Sequence, residues 1–371
     1  MCRALTDHDL FYCIFDYYAA LGTSDDITHM SMNAFGQFVG DCQLADKKSQ
    51  FCKTTHFDQL FISVDSSGAG GKTDEKYNRK KALNRQEFLQ CIVKIACMRY
   101  VQPGVIVDVS EALHRLFSAD LEPSLDQAIF VEPNGKHGAP YASCCPLIGA
   151  AAFSFSLTAH CRLFRRLADF RSKFCYCEEV DTVLRKHENS LRLIYERACQ
   201  LRGQSLAKGA ANKLVGFDEW KDVCRMFELI DADLTERDVT LAFVWSRMRV
   251  VDEQGEKGRV ALCNLSFEDF LEALCRCSVC KAWPTHEEIQ EAESGNAGVH
   301  IVNMRRDEPD AYAELLATRA VPWGGQPMQH ISYCIENLCS YLITMCEQGK
   351  GDGKAISRSE VNAFMTAAAA S

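Results

Sequence analysis

An all-α fold built on an internal duplication is what this sequence predicts, and three observations carry the prediction. The first is self-similarity. Moved back by 182 positions, Phe217, Cys224, Phe243, Leu265, Phe270 and Leu271 of the stretch from Val215 to Cys280 fall on Phe35, Cys42, Phe61, Leu83, Phe88 and Leu89. Trp220 falls on Phe38, Val244 on Ile62, Asp269 on Glu87 and Leu274 on Ile92, with no gap in the register. Repetition at a fixed offset marks a duplicated structural unit. The second is periodicity: Phe35, Phe38 and Cys42, and again Phe88, Ile92 and Ile95, recur three or four apart, which gives each helix one buried stripe. The third is capping. Asn84 to Glu87, Thr235 to Asp238 and Ser266 to Asp269 each place an oxygen acceptor at a helix start with a carboxylate three residues on, where free backbone N–H groups and the helix dipole favour it.

Each copy therefore reads as four short helices in two helix–loop–helix pairs. The predicted organisation is a first helical domain over 1–120, an irregular insertion or linker over 121–172, a second helical domain over 173–283, and a C-terminal helical region over 284–371.

Taken in order, Leu10, Phe11, Ile14, Tyr17, Tyr18 and Leu21 predict an opening amphipathic helix, with Gly22 just past its end. Its counterpart lies at Leu191 to Leu201, where Ile194 and Tyr195 match Ile14 and Phe15 at an offset of 180. The run from Asp65 to Lys81 is rich in Gly, Ser and charge and reads as a solvated insertion between helices. Val109 to Phe117 predicts a further helix with Ala112, Leu113 and Leu116 on one face. Between His137 and Arg162 there is no Lys, Arg, Asp or Glu; the length would suit a membrane span, but Pro146, Gly149 and the serines favour an irregular insertion. Beyond the second copy, Thr285 and Glu288 form a capping box, Ser294 to Glu308 reads as a polar linker, and Val321 to Gly325 as a turn. Ile331, Ile335, Leu338 and Leu342 define one more helix, and Ser357 with Glu360 opens the last, ahead of an alanine-rich tail.

Composition bounds the function. At 371 residues, 47% apolar and 25% charged, the chain is ordinary for a water-exposed protein with two cores. A formal charge of -9 excludes the basic footprint of a general nucleic-acid binder and disfavours coating of anionic surfaces. The start has no apolar signal segment, so residence in the cytoplasm is expected. The 20 cysteines then read as reduced, small core residues on helix faces, as at Cys42, Cys91, Cys224, Cys275 and Cys334.

Four stretches bear on chemistry. Ser66 to Thr73 approaches a phosphate-binding loop, with Lys72 and Thr73 in the roles of phosphate and magnesium ligands, but Ser66 replaces the first glycine and no apolar-faced helix follows. Helix–loop–helix pairs suggest the EF-hand, whose loop oxygens bind calcium. With Leu83 and Glu87 as anchors, Lys76, Asn78 and Lys80 occupy the first ligand positions; in the second copy Gly258, Val260 and Leu262 do, so neither loop supplies carboxylates. The C-terminal pair leaves Asp352 and Glu360 as the candidate calcium ligands. Cys275, Cys277 and Cys280 are a candidate zinc set, but Cys275 and Cys277 would face different sides of a continuing helix and no second cluster at metal-site spacing follows except the nearby His286.

Trp220, Lys221 and Cys224, then Leu234 to Val239 with Phe243, then Leu265 to Phe270 with Ala273 and Leu274, resemble the core domain of the tubulin polymerization-promoting proteins. The first copy is similar through Phe38, Asp41, Cys42, Phe61 and Leu83 to Ile92. That family's core is a degenerate EF-hand-like helical domain, and tandem copies with a final EF-hand-like pair resemble large ciliary and flagellar proteins of protists. The loop between Phe243 and Leu265 is longer than in that family, and its glycine-rich C-terminal signature has no counterpart here. The resemblance implies a non-enzymatic cytoskeletal scaffold, microtubule-associated or axonemal, located in the cytoplasm on the cytoskeleton of a cilium or flagellum. The implied partner is tubulin, the microtubule or another axonemal protein, with no nucleic acid and no membrane. Docking would proceed by helix-in-groove burial, because the chain shares tubulin's acidic sign. Trp220, Trp245 and Trp323 are the candidate partner-binding residues. No cofactor is expected other than calcium, whose binding through the C-terminal loop defines the alternative, a calcium-responsive adaptor.

Overall fold

The computed structural model describes residues 7–21, 26–67, 79–121, 123–125, 170–202, 214–248, 250, 253, 255–347 and 355–370. It is mainly α-helical, as the periodicity requires, and its helices fall into two compact units.

The first unit holds α1 (Asp7–Ala20), α2 (Met32–Asp41), α3 (Thr54–Ser67), α4 (Arg85–Ala96) and α5 (Val109–Arg115). Helix α4 widens into π geometry over Cys97–Val101, and α5 does so over Leu116–Leu121. Two two-residue strands, β1 (Met30–Ser31) and β2 (Ala82–Leu83), tie the loop before α2 to the loop before α4, antiparallel with Met30 opposite Leu83. Helix α3 runs to Ser67, past the predicted start of the insertion at Asp65, residues 68–78 lie outside the described residues, and Asp65 accepts the Lys81 backbone N–H at 3.1 Å. The core is aromatic. Phe88 of α4 meets Phe15 of α1 at 5.7 Å and Phe38 of α2 at 5.4 Å, while Phe35 meets Phe61 at 5.6 Å. Within it the Arg85 guanidinium pairs with Asp16 at 2.5 Å, satisfying two buried charges at once.

The second unit opens with a π turn at Arg171–Cys175, followed by α6 (Glu178–Ala198), α7 (Phe217–Met226), α8 (Glu236–Ser246), α9 (Glu256–Cys263) and α10 (Phe267–Cys280). Strands β3 (Val215–Gly216) and β4 (Asn264–Leu265) repeat the bridge, with Val215 opposite Leu265. Five further helices complete the unit: α11 (His286–Glu291), α12 (Ala297–Asp307), α13 (Pro309–Arg319), α14 (Ile331–Cys346) and α15 (Arg358–Ala370). Helix α14 packs on α6, α10 and α12, and the described helices of residues 284–371 belong to the second unit.

Two expectations change here. The polar stretch Ser294 to Glu308 is not a linker: Asn296 caps α12, and Gly298 lets that helix lie directly on α14, since a Cβ there would stand 2.6 Å from the Ser340 carbonyl oxygen. The alanine tail is the last part of α15, held to α7 by Phe364 against Phe227 at 4.9 Å.

The two units share an order of bridges and helices, but their correspondence is not gapless. From α3 and α8 onward the offset is 182: Phe61 and Phe243, Leu83 and Leu265, and Phe88 and Phe270 hold equivalent, fully buried places. Through α2 and α7 it is 185. Strand residues Met30 and Val215, the buried sets Ala34, Phe35, Phe38, Val39 and Glu219, Trp220, Val223, Cys224, and the left-handed residues Gln43 and Glu228 after each helix all correspond at that spacing. The connection is then twelve residues, 42–53, in the first copy and nine, 227–235, in the second, which restores the later register. Three residues advance a helix by about 4.5 Å and nearly one full turn, so the aromatic contacts survive the slip. Phe217 meets Phe243 at 5.2 Å and Trp220 meets Phe270 at 5.7 Å, the same partners that Phe35 and Phe38 have in the first copy. Identity at 182 thus follows ring partners, whereas backbone equivalence follows 185.

Candidate functional site

The three tryptophans chosen from the sequence part company. Trp220 is fully buried on α7, donates its indole N–H to the Val239 carbonyl at 2.9 Å and stacks edge-on against Phe270; it is a core residue. Trp245 and Trp323, 78 positions apart, come together with ring centroids 5.3 Å apart and planes inclined at 55°.

Local chemistry explains how. Trp245 sits in the last turn of α8, whose start is fixed by the Thr235–Asp238 capping box. Trp323 sits in the predicted turn. The Val321 N–H is held by the Cys280 carbonyl at the end of α10, the Gly325 N–H closes onto Pro322 at 2.8 Å, and Gly324 adopts a φ of 78° that suits glycine. A Cβ on Gly325 would stand 2.8 Å from Val321 Cγ1 and 2.9 Å from the Pro322 oxygen, so the turn is closed too tightly for any other residue.

Both rings are half-buried, yet both indole N–H groups are shielded from water and, among the described residues, bonded to nothing; the hydroxyl of neighbouring Ser246 is in the same condition. Buried tryptophan N–H groups ordinarily find an acceptor, and leaving one without costs about 1–3 kcal/mol. An aromatic pair that is only half-buried is suited to a partner that brings an apolar surface to the exposed part of the rings.

Behind the pair lies a cluster that sequence reasoning missed. Arg171 donates to the Trp245 carbonyl at 3.1 Å and to Glu272 at 2.9 Å, and Glu272 also accepts from Arg276 at 2.7 Å and from the Tyr176 hydroxyl at 3.0 Å. Burial opposes the charge on Arg171, but Glu272 outweighs it and the guanidinium pKa ends above its ordinary value. Burial and then Glu272 push the Tyr176 phenol up. The available signal was Glu272 itself, a lone carboxylate among Phe270, Leu271, Ala273 and Leu274.

The metal candidates fare differently. Glu360 folds back as a cap, accepting the Ser357 N–H and hydroxyl, each at 2.7 Å, and these bonds hold its carboxyl below the ordinary range. Glu87 and Asp269 likewise accept the N-cap backbone N–H at their own helix starts. Asp352, Lys72 and Thr73, and the segment between His137 and Arg162, lie outside the described residues. Gly258, Val260 and Leu262, expected in a loop, are on α9, and a helix cannot wrap a cation as a loop does. Cys275, Cys277 and Cys280 are buried free thiols; contact with Cys175 and burial raise the first, and burial raises the other two. His286 is exposed and bonds Gln290. Among the described residues no group of three or more His, Cys, Asp or Glu side chains is arranged to hold a metal, and no helix is long and apolar enough to cross a membrane.

Comparison with protein-family models, curated proteins and solved structures yields no match.

Proposed function

We infer that the chain is a non-enzymatic helical scaffold of the cytoskeleton, of the microtubule-associated or axonemal kind, and that its second unit receives the partner at Trp245 and Trp323. The observation that carries this reading is the paired, half-buried indole rings. Tryptophans at the centre of a contact contribute disproportionately to binding, because they bury a large rigid surface and one donor at small entropic cost. The EF-hand-like description of the repeats draws support from the two-residue bridge that joins paired loops in each unit, at Leu83 and Leu265, the residues taken as loop anchors. Calcium enters this reading only through Asp352 and Glu360.

Co-sedimentation of the full chain with microtubules tests it. Saturable pelleting is expected, weakened about tenfold or more by Trp245→Ala or Trp323→Ala, since interface anchors of this type contribute about 2 kcal/mol or more. Pelleting that both variants retain in full removes the tryptophan pair from the contact; no pelleting of the intact chain removes the microtubule. Calorimetric titration with calcium of the intact chain and of Glu360→Gln separates the adaptor alternative, which requires heat that the variant loses.

A further inference from the structure

The duplication exposes a second surface, independent of the tryptophan pair. In the second unit the segment Phe170 to Tyr176 lies across α10 and the end of α8. Arg171 bonds Glu272 and the Trp245 carbonyl, Tyr176 bonds Glu272, Phe170 sits under the Arg276 guanidinium at 4.4 Å, and the Cys175 thiol lies beside Cys275. The covered residues are accordingly buried: Glu272 at 2%, Cys275 at 0% and Arg276 at 4% exposure.

At the offset of 182 that holds from α3 onward, the same places in the first unit are Gln90, Val93 and Lys94 on α4, with Ser63 for Trp245 and Ile62 for the buried Val244 on α3. All five are exposed, Val93 to 39% and Ile62 to 56%, although aliphatic side chains stand at two of them. Among the described residues Lys94 has no ion pair. The charge has also changed: Gln90 replaces a carboxylate bonded by two guanidiniums, and among the described residues Lys94 has no counterpart of the Glu272 that Arg276 holds at 2.7 Å.

We propose that this strip of the first unit, Ile62 and Ser63 on α3 with Gln90, Val93 and Lys94 on α4, docks a short segment of a partner protein bearing an aromatic side chain beside a carboxylate. The aromatic ring takes the place of Phe170 over the cation and against Val93. The carboxylate takes the place of Arg171 and pairs with Lys94, the charge that the duplicate satisfies internally. Ile62 supplies the apolar floor at the α3 end.

The probe is a fluorescein-labelled peptide of residues 169–177 carrying Arg171→Glu, Cys175→Ser and Cys177→Ser, titrated with the full chain and followed by fluorescence anisotropy. Saturable binding is expected, weakened about tenfold or more in Val93→Asp, since a buried anchor is lost and a charge is placed opposite the carboxylate. The control peptide that keeps Arg171 binds the natural chain more weakly, and Lys94→Glu reverses that preference. Because Val93 and Lys94 are exposed, both variants retain the far-ultraviolet circular dichroism of the parent. No saturable binding of the glutamate peptide, equal binding in Val93→Asp, or an unreversed preference in Lys94→Glu overturns the proposal.

Discussion

One substitution, tryptophan to phenylalanine, has opposite expected signs at the three sites. At Trp220 the indole is fully buried and its N–H is bonded at 2.9 Å, so Trp220→Phe loses a satisfied hydrogen bond and opens a void beside Phe270. A net hydrogen bond contributes about 1 kcal/mol, and removal of part of a packed ring adds a cavity penalty of about 1–2 kcal/mol. The expected destabilisation is therefore about 2–3 kcal/mol. At Trp245 and Trp323 the same change deletes a donor that bonds nothing while keeping a six-membered ring in the pair. Loss of about 0.5–1 kcal/mol of aromatic contact is opposed by relief of about 1–3 kcal/mol of desolvation. The expected outcome is neutral to stabilising by about 1 kcal/mol. All 4 tryptophans of the chain lie in the second unit, so their fluorescence in a guanidinium titration reports that unit's unfolding. A loss at Trp245→Phe or Trp323→Phe as large as at Trp220→Phe would refute the idea that their donors are held unused.

Three further outcomes follow from the packing and the charges. Gly298→Ala should lower the melting temperature despite alanine's better helix propensity of about 1 kcal/mol, because its methyl would meet the Ser340 oxygen at 2.6 Å and Tyr341 Cα at 2.8 Å; a thermal scan showing stabilisation contradicts this. Asp233→Ala strands the buried Lys281 ammonium, now bonded to Asp233 at 2.8 Å, and should cost about 3–5 kcal/mol, with the double variant Asp233→Ala/Lys281→Met recovering a large part of it in denaturant titrations. The Arg319 guanidinium holds the Glu288 carboxyl below its ordinary 4.5, so its contribution is present above that pH and is lost as pH falls through the lowered value. Glu288→Gln should therefore differ from the parent at neutral pH, by less than about 1 kcal/mol given the partial exposure, and the two stability curves should converge in acid; a gap that widens in acid contradicts the assignment.

Much of the molecule was legible because its signals are local. The capping boxes at Asn84, Thr235, Ser266 and Thr285 form as read, since an N-cap oxygen and a carboxylate three residues on satisfy orphan N–H groups within one turn. The helical stripes of Phe88, Ile92 and Ile95 and of Ile331, Ile335, Leu338 and Leu342 are buried as their spacing required. Helix α12 escaped notice although Ala297 and Ile301 are buried in it, because its flanks are polar and its close approach to α14 is made at a glycine, a role invisible without the opposing helix.

What only the tertiary structure decided are relations between residues far apart in sequence. Identity alone aligned α7 with α2 at 182, because ring partners are kept; the paired strands and the left-handed residues Gln43 and Glu228 set the backbone correspondence at 185. Nothing local distinguished Trp220 from Trp245 and Trp323. The first became core because Val239 and Phe270 surround it, and the other two became a pair because the Pro322–Gly325 turn, pinned to the end of α10, carries one against the other. Sequence determines which side chains a helix buries through its period; which of them meet, and which donors remain unused, is fixed only when separate helices pack.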